Sequence, residues 1–493
     1  MFIKKWLIFL IVPVLIISLP HHEGGGEEVR YVPHSGTIET DTTWSGNLVF
    51  SNVTVAEGAI LTISPGSSIY GTPMASLFVE GTLIIGSDGG ERVLMDSVTS
   101  HPWGLIQVNS TGRVVARNTL FSNVSIAIHC LPGGTIAMYN STVKTAEVGV
   151  SSSGDSTIVG VYFENITEES IYLSSTDGCI LKGITVKGAD RGIFVNRSSN
   201  LTIDGADISG ITTAGIVIEE GGENVLIKDV QVKGNGSNYP TKGVELIGYS
   251  KGFKGIMVYG LRPSFLGIGM QIRGVGEVHI TRSFSIYSGM DLNVTLDGKL
   301  IVNKSYINSH GGSYFRHLSS GRCEVYYYDS YADERRIHVE DEWTFFVVLK
   351  NITVGARDQS GRRIPFNLTV APYGGDPIFE GFIDDQIKLY LPFFSKEGAT
   401  LLRYQPYNFT FTSGRGFLHV TIETAGVNWK KNRYYATINL PPLFNGGEIV
   451  VEEDERWNGS LEDFFTDPDG KGENDINITS IRWGEGVQIG FDS

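Results

Sequence analysis

The chain has 493 residues with ordinary apolar content, and its 61 glycines against 17 prolines predict many tight turns without a collagen-like or disordered tract. This length exceeds that of one ordinary domain, so two or three units are expected. The formal net charge of −15 argues against nucleic acid or an anionic membrane surface as a partner, because both require a basic face.

The N-terminus carries a candidate export signal. Two lysines precede an apolar run, Trp6–Leu19, which is shorter than the roughly 20 residues that a membrane span needs. We therefore expect residues 1–20 to form a secretory signal and residues 21–40 a linker, which places the protein outside the cell or at its surface. An uncleaved N-terminal anchor stays an alternative, because Ile17–Pro20 is a poor cleavage site.

Glycosylation sequons give an independent indication of export. Asn-x-Ser/Thr triplets occur far more often than the composition alone would produce. A preference of Asn, Ser and Thr for β-turns explains part of the excess, and a glycosylated exterior is the interpretation that explains the rest. The fifteen sequons begin at Asn52, Asn109, Asn123, Asn140, Asn165, Asn196, Asn200, Asn235, Asn293, Asn303, Asn351, Asn367, Asn408, Asn458 and Asn477.

The cysteines are too few for a disulfide framework in a chain of this size. Cys130, Cys179 and Cys323 are widely spaced and odd in number, which predicts buried free thiols. One bridge with one thiol left over is the alternative. Their spacing does not match that of metal ligands.

An internal repeat of about 22 residues dominates the first two thirds of the chain. Its unit is a pair of apolar residues in alternation, and such a pair predicts a strand with one buried face. Recurrence at the length of one coil places each strand on the previous one, about 4.8 Å along the stack. The pairs are Ile106/Val108, Ile126/Ile128, Val148/Val150, Ile171/Leu173, Ile193/Val195, Ile216/Ile218, Val244/Leu246 and Met270/Ile272.

A second column of apolar residues follows the same period. Val159, Leu181, Ile203 and Ile227 hold a constant phase relative to the first column, so each coil contains more than one strand. No helical pattern of 10–15 residues separates the strands, which excludes an array of βαβ units. The sequence therefore predicts an all-β solenoid of stacked coils with a narrow aliphatic core.

The opening coils resemble pectin-lyase-like right-handed parallel β-helices. The resemblance is carried by NVTVAEGAILTISPGSSIY at Asn52–Tyr70, by LFVEGTLIIGSDGGERVLMDS at Leu77–Ser97, and by Trp103–Asn123. It covers residues 41–330 and implies a right-handed parallel β-helix over that range. The superfamily includes polysaccharide lyases and glycoside hydrolases, so the resemblance is specific for the fold and not for an activity.

Beyond the solenoid, residues 331–441 show longer alternating stretches with many aromatics, and Asp358–Gly361 is predicted to be a tight turn between two strands. This pattern predicts an antiparallel β-sandwich. The region resembles the immunoglobulin-like modules that follow β-helices in archaeal surface proteins.

Residues 442–493 resemble the first half of a cadherin-like domain, which implies Ca²⁺ as the one cofactor of the chain. The alternative is that Asp-Pro-Asp-Gly forms an ordinary β-turn. The resemblance also breaks off early, so a partner completes the domain or the chain is a fragment of a longer protein. We favour the fragment, in which any C-terminal anchor would lie outside this sequence. The residues that the resemblance implies as Ca²⁺ ligands are Glu453, Asp454, Asp467 and Asp469.

Enzymes with this fold carry their reactive groups in outward columns at the coil period. None of the columns predicted here assembles paired carboxylates for general acid and base catalysis. Asp204 and Asp207 are the weak catalytic candidates, and Asp204 between Lys182 and Lys228 is more simply a salt-bridge ladder. One outward column is the best candidate for a binding surface. It is predicted to contain Gln107, Ala127, Gly149, Tyr172, Phe194, Val217 and Glu245.

Tyr172 and Phe194 in that column are predicted to stack on adjacent coils as a platform for sugar rings, or alternatively to cover apolar surface. The leading hypothesis is an exported, non-catalytic surface protein that binds or displays glycans or protein partners. It would contact the membrane only through an anchor. A secreted polysaccharide lyase or glycoside hydrolase with a divergent site, and a structural envelope component, are the alternatives.

Overall fold

The computed structural model describes residues 33–438 except for 221, 236–240, 286, 308–310, 320, 405, 415 and 423–432, and in addition residues 443–444 and 465–466. The predicted signal segment, the implied Ca²⁺ ligands and the sequons at Asn458 and Asn477 lie outside the described residues. None of the described residues belongs to a helix with the length and apolarity that a bilayer crossing requires.

The chain divides into two compact units, and the boundary falls within one strand, at Phe346/Val347. The first unit extends up to Phe346 and also includes Lys396–Thr400, and the second contains Val347–Ser395 and the residues from Leu401 onward.

The strands of the first unit are β1 His34–Ile38, β2 Thr42–Trp44, β3 Asn47–Val55, β4 Ile60–Ile63, β5 Ser68–Gly71, β6 Leu77–Val79, β7 Thr82–Ile85, β8 Val93–Ser97, β9 Trp103–Val108, β10 Arg113–Arg117, β11 Thr119–Cys130, β12 Thr135–Tyr139, β13 Thr142–Ser152, β14 Asp155–Val159, β15 Tyr162–Ile166, β16 Glu169–Ser174, β17 Ile180–Lys182, β18 Thr185–Asn196, β19 Thr202–Asp204, β20 Asp207–Glu219, β21 Gly222–Glu223, β22 Leu226–Lys228, β23 Gln231–Lys233, β24 Lys242–Tyr259, β25 Arg262–Ser264, β26 Ile268–Thr281, β27 Met290–Asn303, β28 Ser313–Arg316, β29 Cys323–Tyr328 and β30 Ile337–Val339. A 3₁₀ turn at Glu334–Arg336 precedes β30.

These strands form a parallel β-solenoid of about 13 turns. Each coil contributes to three sheets, which we name A, B and C in the order in which the chain passes through them. In one representative coil, β16 lies in sheet A, β17 in sheet B and the first half of β18 in sheet C. The second half of β18 then opens the next coil in sheet A.

The core consists of the inward side chains of the three sheets. Ile171 pairs with Ile193 and Leu173 with Val195, and all four side chains are fully buried. Burial of an Ile, Leu or Val side chain stabilises a fold by about 1.5–3 kcal/mol. The predicted pairs from Ile171/Leu173 to Met270/Ile272 are confirmed in this register.

The register differs from the prediction in the earlier coils. Ile106 pairs with Ile128 instead of Ile126, across a register shift in β11, and Val150 instead of Val148 pairs with Ile171. Ile126 and Val148 are consequently only half-buried. The step from Ile126 to Ile128 in β11 lies opposite the single step from Leu105 to Ile106 in β9, so the extra residue Ala127 breaks the alternation. A period-two apolar pattern assumes an unbroken strand and therefore could not locate this bulge.

β1 lies within the stretch 21–40 that the sequence analysis treats as a linker. It pairs in parallel with β3, from His34↔Phe50 to Ile38↔Val55. Its residues are mostly exposed and lack apolar alternation, which is why the sequence pattern gave no strand there. At the other end, β30 pairs with β28, so coil pairing extends to Val339.

The bend between sheets B and C repeats one backbone conformation. From β7 onward, eleven successive coils place a residue with φ between +45° and +72° directly after the sheet B strand. These residues are Gly86, Asn118, Asn140, Gly160, Gly183, Gly205, Asp229, Gly260, Arg282, Lys304 and Asp329. The left-handed conformation costs a residue with a Cβ about 1–2 kcal/mol. The hydrogen bonds between coils offset this cost and hold these residues in the conformation.

Lys304 provides a test of this strain. Lys304→Val should lower the free energy of unfolding by about 1–2 kcal/mol, because a β-branched residue fits the left-handed region poorly. Lys304→Gly should leave it unchanged or raise it. Denaturant unfolding of both variants measures the difference. Equal stability of the two would show that the left-handed turn is not a constraint here.

A ladder of serine side chains follows this bend in the C-terminal coils. The Ser283 N–H donates to Ser305 Oγ at 3.1 Å, and the Ser305 N–H donates to Ser330 Oγ at 3.1 Å. Ser305 Oγ in turn donates to the Asn303 carbonyl oxygen at 2.9 Å. Each hydroxyl thus satisfies a buried backbone donor of the preceding coil.

We expect Ser305→Ala to destabilise the protein by about 1–3 kcal/mol, because the buried Ser283 N–H would lose its acceptor. Ser110→Ala, at an exposed turn, is the control and should change stability by less than about 0.5 kcal/mol. Thermal or denaturant unfolding measures both. A Ser305→Ala variant as stable as the control would mean that water replaces the hydroxyl.

The second unit is built from β31 Thr344–Arg357, β32 Phe366–Pro372, β33 Phe379–Ile383, β34 Gln386–Glu397, β35 Thr400–Arg403, β36 Tyr407–Ser413, β37 Gly416–Ile422, β38 Arg433–Thr437, β39 Leu443–Phe444 and β40 Phe465–Thr466, although β31, β34 and β35 also contribute residues to the first unit.

A small antiparallel sheet of order β33-β32-β36-β37 lies in this unit. Residues of β32 and β36 share a buried cluster with residues of β31, β34 and β38, and Phe366, Phe409 and Phe411 are its largest apolar members. The predicted turn at Asp358–Gly361 is confirmed, because the Gly361 N–H donates to the Asp358 carbonyl at 3.0 Å between β31 and β32. An immunoglobulin-like sandwich stays a prediction.

Candidate functional site

The outward face of sheet A carries one side chain per coil in a straight column. Backbone pairing places Gln107 beside His129, His129 beside Ser151, Ser151 beside Tyr172 and Tyr172 beside Phe194. Adjacent members are therefore separated by the spacing of parallel strands, about 4.8 Å. We call these five residues the axial strip.

The structure corrects two members of the predicted column. Ala127 and Gly149 were expected to face outward, but Ala127 is fully buried, and a Cβ at Gly149 would lie only 2.3 Å from the Ser170 carbonyl oxygen. His129 and Ser151 take the outward positions because of the register shift in β11 and the short coil that leads to Ile171. A polar residue between two buried ones, as in Ile128-His129-Cys130, is the sequence signal that could have found them.

His129 and Ser151 form a hydrogen-bonded pair. His129 Nδ1 lies 3.1 Å from Ser151 Oγ, and Ser151 is 8% exposed. Burial lowers the pKa of His129 from its ordinary value. A neutral imidazole presents both a donor and an acceptor, which suits recognition of hydroxyl groups.

The structure brings Tyr172 and Phe194 together. Their ring centroids are 5.3 Å apart with an interplanar angle of 34°. At this separation one ring partly overlies the other, so the two do not form one flat surface. The Arg191 guanidinium lies 4.3 Å from the Phe194 centroid, which is the geometry of a cation–π contact.

An ion pair fixes that guanidinium. Arg191 Nη2 lies 2.5 Å from Glu169 Oε1, and Glu169 is 8% exposed. Burial raises the pKa of Glu169, and the neighbouring Arg191 charge acts in the opposite direction. The two residues pair in register on adjacent coils, so the pair is a positioned feature of the sheet.

An apolar edge accompanies the polar members of the strip. Leu105, Ile126 and Val148 pair in register on three coils and are each half-buried. The outward face of sheet A thus combines apolar contact surface, two rings and several hydrogen-bonding groups.

The two weak catalytic candidates are not brought together on one sheet. Asp204 lies on β19 in sheet B, where its carboxylate is 3.5 Å from Lys228 Nζ, and Asp207 is exposed on β20 in sheet C. Within the described part of the chain, no group of three or more His, Cys, Asp or Glu residues is arranged to hold a metal ion.

The cysteines are free and buried, as predicted. Burial raises the pKa of Cys130 to about 11 and that of Cys323 to about 12. A thiol with so high a pKa is a poor nucleophile, so these residues belong to the core.

Four predicted sequon residues serve as turn residues. Asn123, Asn140, Asn165 and Asn200 all have φ between +46° and +55°. Asn tolerates this conformation better than most residues with a side chain. The Nδ2 atoms of Asn123 and Asn200, where a glycan would be attached, donate to Thr99 O and Asp177 Oδ1 respectively. The turn preference therefore accounts for part of the sequon excess, and glycosylation stays a prediction.

A second aromatic surface lies on sheet C of the last coils and was missed by the sequence analysis. Phe284, Tyr306 and Tyr331 follow one another at bridge positions, and the Tyr306 and Tyr331 centroids are 4.5 Å apart. Phe265 and Tyr287 stack beside them at 5.4 Å, both with φ above +50°. An aromatic residue that recurs at about the coil period, at positions 284, 306 and 331, is the sequence signal that could have found this surface.

Comparison with known proteins identifies the class of fold. The family model described as "Right handed beta helix region" matches residues 104–260, so the solenoid is a right-handed β-helix. No curated protein matches the chain.

The solved structures with a similar course of the chain share little sequence identity with this protein. The periplasmic alginate epimerase AlgG is 15% identical, with 61% of this chain and 85% of that chain covered and a TM-score of 0.40. The receptor-binding protein of bacteriophage Det7, a podoviral tailspike in a myovirus, is 10% identical, with coverage of 80% and 95% and a TM-score of 0.34. Tailspike protein 2 of the Escherichia coli O157:H7 bacteriophage CAB120 is 10% identical, with coverage of 78% and 63% and a TM-score of 0.32.

The state of His129 can be tested directly. Because burial lowers its pKa, the ring should titrate below 6.5 in the folded protein and return towards 6.5 in urea. The lowered pKa contributes stability above pH 6.5 that is lost as the pH falls, so stability relative to a His129→Gln variant should decline in acid. NMR titration and unfolding at several pH values measure both. A midpoint above 6.5 would contradict burial as the dominant influence.

Proposed function

We propose that this protein is a non-catalytic, exported cell-surface β-helix that binds carbohydrate along the axial strip. The observation that carries the proposal is the straight column from Gln107 to Phe194, in which each coil contributes one hydrogen-bonding or aromatic side chain. A surface that repeats along an axis suits a ligand that repeats along its length. A polysaccharide chain is such a ligand.

The chemistry of the strip supports the same conclusion. Sugar rings present hydroxyl groups at their edges and C–H groups on their faces. His129, Ser151 and Gln107 supply donors and acceptors for the hydroxyls, and the apolar edge at Leu105, Ile126 and Val148 and the exposed part of Tyr172 suit the C–H groups.

The acidic residues of this face favour binding without turnover over the polysaccharide lyase or glycoside hydrolase alternative, because two buried ones are engaged by cations. Glycoside hydrolysis commonly needs two carboxyl groups on either side of the bond that is cleaved. Glu169 is buried and lies 2.5 Å from Arg191. Glu245, two coils beyond Phe194 on the same column, is also buried and lies 2.6 Å from Lys242. Asp204 and Asp207 lie on other sheets.

The remaining parts of the chain are proposed on the sequence resemblances. We infer an archaeal-type surface protein in which an immunoglobulin-like sandwich and a partial cadherin-like domain with bound Ca²⁺ follow the β-helix. Export, glycosylation and protein partners at the surface belong to the same proposal. A purely structural role in an envelope is the further alternative, and it predicts self-assembly without glycan binding.

Binding can be tested with the full chain on a panel of soluble polysaccharides by titration calorimetry. Tyr172→Ala and His129→Ala should each weaken binding of a positive glycan about 10-fold, equivalent to about 1.4 kcal/mol. The matched control is Phe284→Ala with Tyr306→Ala, which removes rings from sheet C and should leave the affinity unchanged. Unfolding curves verify that all variants are folded.

Two outcomes would contradict the proposal. Loss of binding in the sheet C control but not in the strip variants would place the site on the second aromatic surface. Release of reducing ends or unsaturated sugars by the wild type, abolished by Asp204→Asn or Asp207→Asn, would establish the enzyme alternative.

A further inference from the structure

Carboxylates line one edge of the axial strip. The bend that leads from sheet C into sheet A carries Glu147, Glu168 and Asp190 on three successive coils. Their backbones are joined in order, because the Glu168 N–H donates to the Glu147 carbonyl at 2.9 Å and the Asp190 N–H donates to the Glu168 carbonyl at 3.0 Å. We call these three residues the acidic ladder.

The ladder lies close enough to sheet A to affect the charged residues beside the strip. Glu169 and Arg191 directly follow Glu168 and Asp190 in the chain and enter sheet A beside Tyr172 and Phe194. The charges of Glu168 and Asp190 both act to raise the pKa of Glu169, in addition to the larger effect of its burial. An anion bound to the strip would experience repulsion of the same sign, which decreases with distance from the ladder.

The cationic groups on this face do not offset the ladder. Arg191 is held by Glu169 at 2.5 Å, is 3.8 Å from Asp190 and covers the Phe194 ring. Burial lowers the pKa of His129, which favours its uncharged form. Arg197 is exposed in the turn after β18, on the opposite side of the strip from the ladder.

We propose that the axial strip selects polysaccharides without carboxylates and rejects polyuronates, with Glu147, Glu168 and Asp190 as the residues that determine this specificity. The inference rests on the proposed glycan binding and names its substrate class. Rejection is electrostatic, so it acts over about 10 Å at 0.1 M salt and weakens as the ionic strength rises.

A single polymer in two chemical forms tests the inference. The probes are a soluble polyuronate and the same polymer after reduction of its carboxyl groups to primary alcohols, which changes the charge and preserves the backbone. In low salt we expect the full-length protein to bind the reduced form at least 10-fold more tightly than the polyuronate. In 0.5 M NaCl the difference should shrink severalfold.

The decisive variant carries Glu147→Gln, Glu168→Gln and Asp190→Asn. These amides have the same shape as the acids that they replace. In the wild type, the hydroxyls of Thr212 and Thr213 donate hydrogen bonds to Asp190 Oδ1, and the amide oxygen introduced by Asp190→Asn can still accept both. Affinity for the polyuronate should rise about 10-fold, with affinity for the reduced polymer unchanged. Glu39→Gln, Glu57→Gln and Glu223→Gln together form the matched control, which removes the same charge from exposed residues outside this bend and should change neither affinity.

The outcomes separate the two proposals. A wild type that binds the polyuronate as tightly as its reduced form, or a ladder variant that behaves like the matched control, overturns the charge selection but leaves glycan binding intact. If neither form binds and Tyr172→Ala changes nothing on the wider panel, the proposed function fails, and the selection fails with it.

Discussion

The hydrogen bonding of each coil to the coils before and after it is the constraint on which the rest of the first unit depends. Parallel pairing in register holds every strand about 4.8 Å from its neighbours, so a feature of one coil is repeated at the same place in the next. The left-handed residue after sheet B and the serine ladder are both consequences. Residues such as Arg282 and Lys304 accept an unfavourable conformation because their coils are held on both sides.

The same constraint converts a one-dimensional sequence repeat into a linear surface. Side chains 21 to 23 positions apart become neighbours on the outside of a sheet, as Ser151, Tyr172 and Phe194 do. No folded loop or closed pocket is needed to align them. A surface of this kind is extended and partly open, which favours recognition of an extended ligand over enclosure of a small one. The proposed carbohydrate function therefore follows from the architecture as much as from the individual residues.

Electrostatics then distinguishes one side of this surface from the other. The edge at which the chain enters sheet A is acidic in three successive coils, and the nearest guanidinium is neutralised by Glu169. Stacking of like charges is unfavourable, and at the surface it is tolerated because water and salt screen it. Because this repulsion between like charges recurs in register on three coils, we interpret the acidic ladder as a determinant of specificity and not as a contribution to stability.

The sequence by itself determined that the first unit is a stack of β-coils, because apolar alternation and a period of about 22 residues leave few other ways to bury one face of every strand. It also determined the buried, free cysteines and the turn at Asp358–Gly361. Only the tertiary structure decided which residues face outward between Gln107 and Tyr172. The extra residue in β11 breaks the alternation between Ile126 and Ile128, so His129 and Ser151 could be distinguished from Ala127 and Gly149 only once the strands were paired. The tilt of the Tyr172 and Phe194 rings was also decided there, because ring orientation depends on contacts that no spacing records.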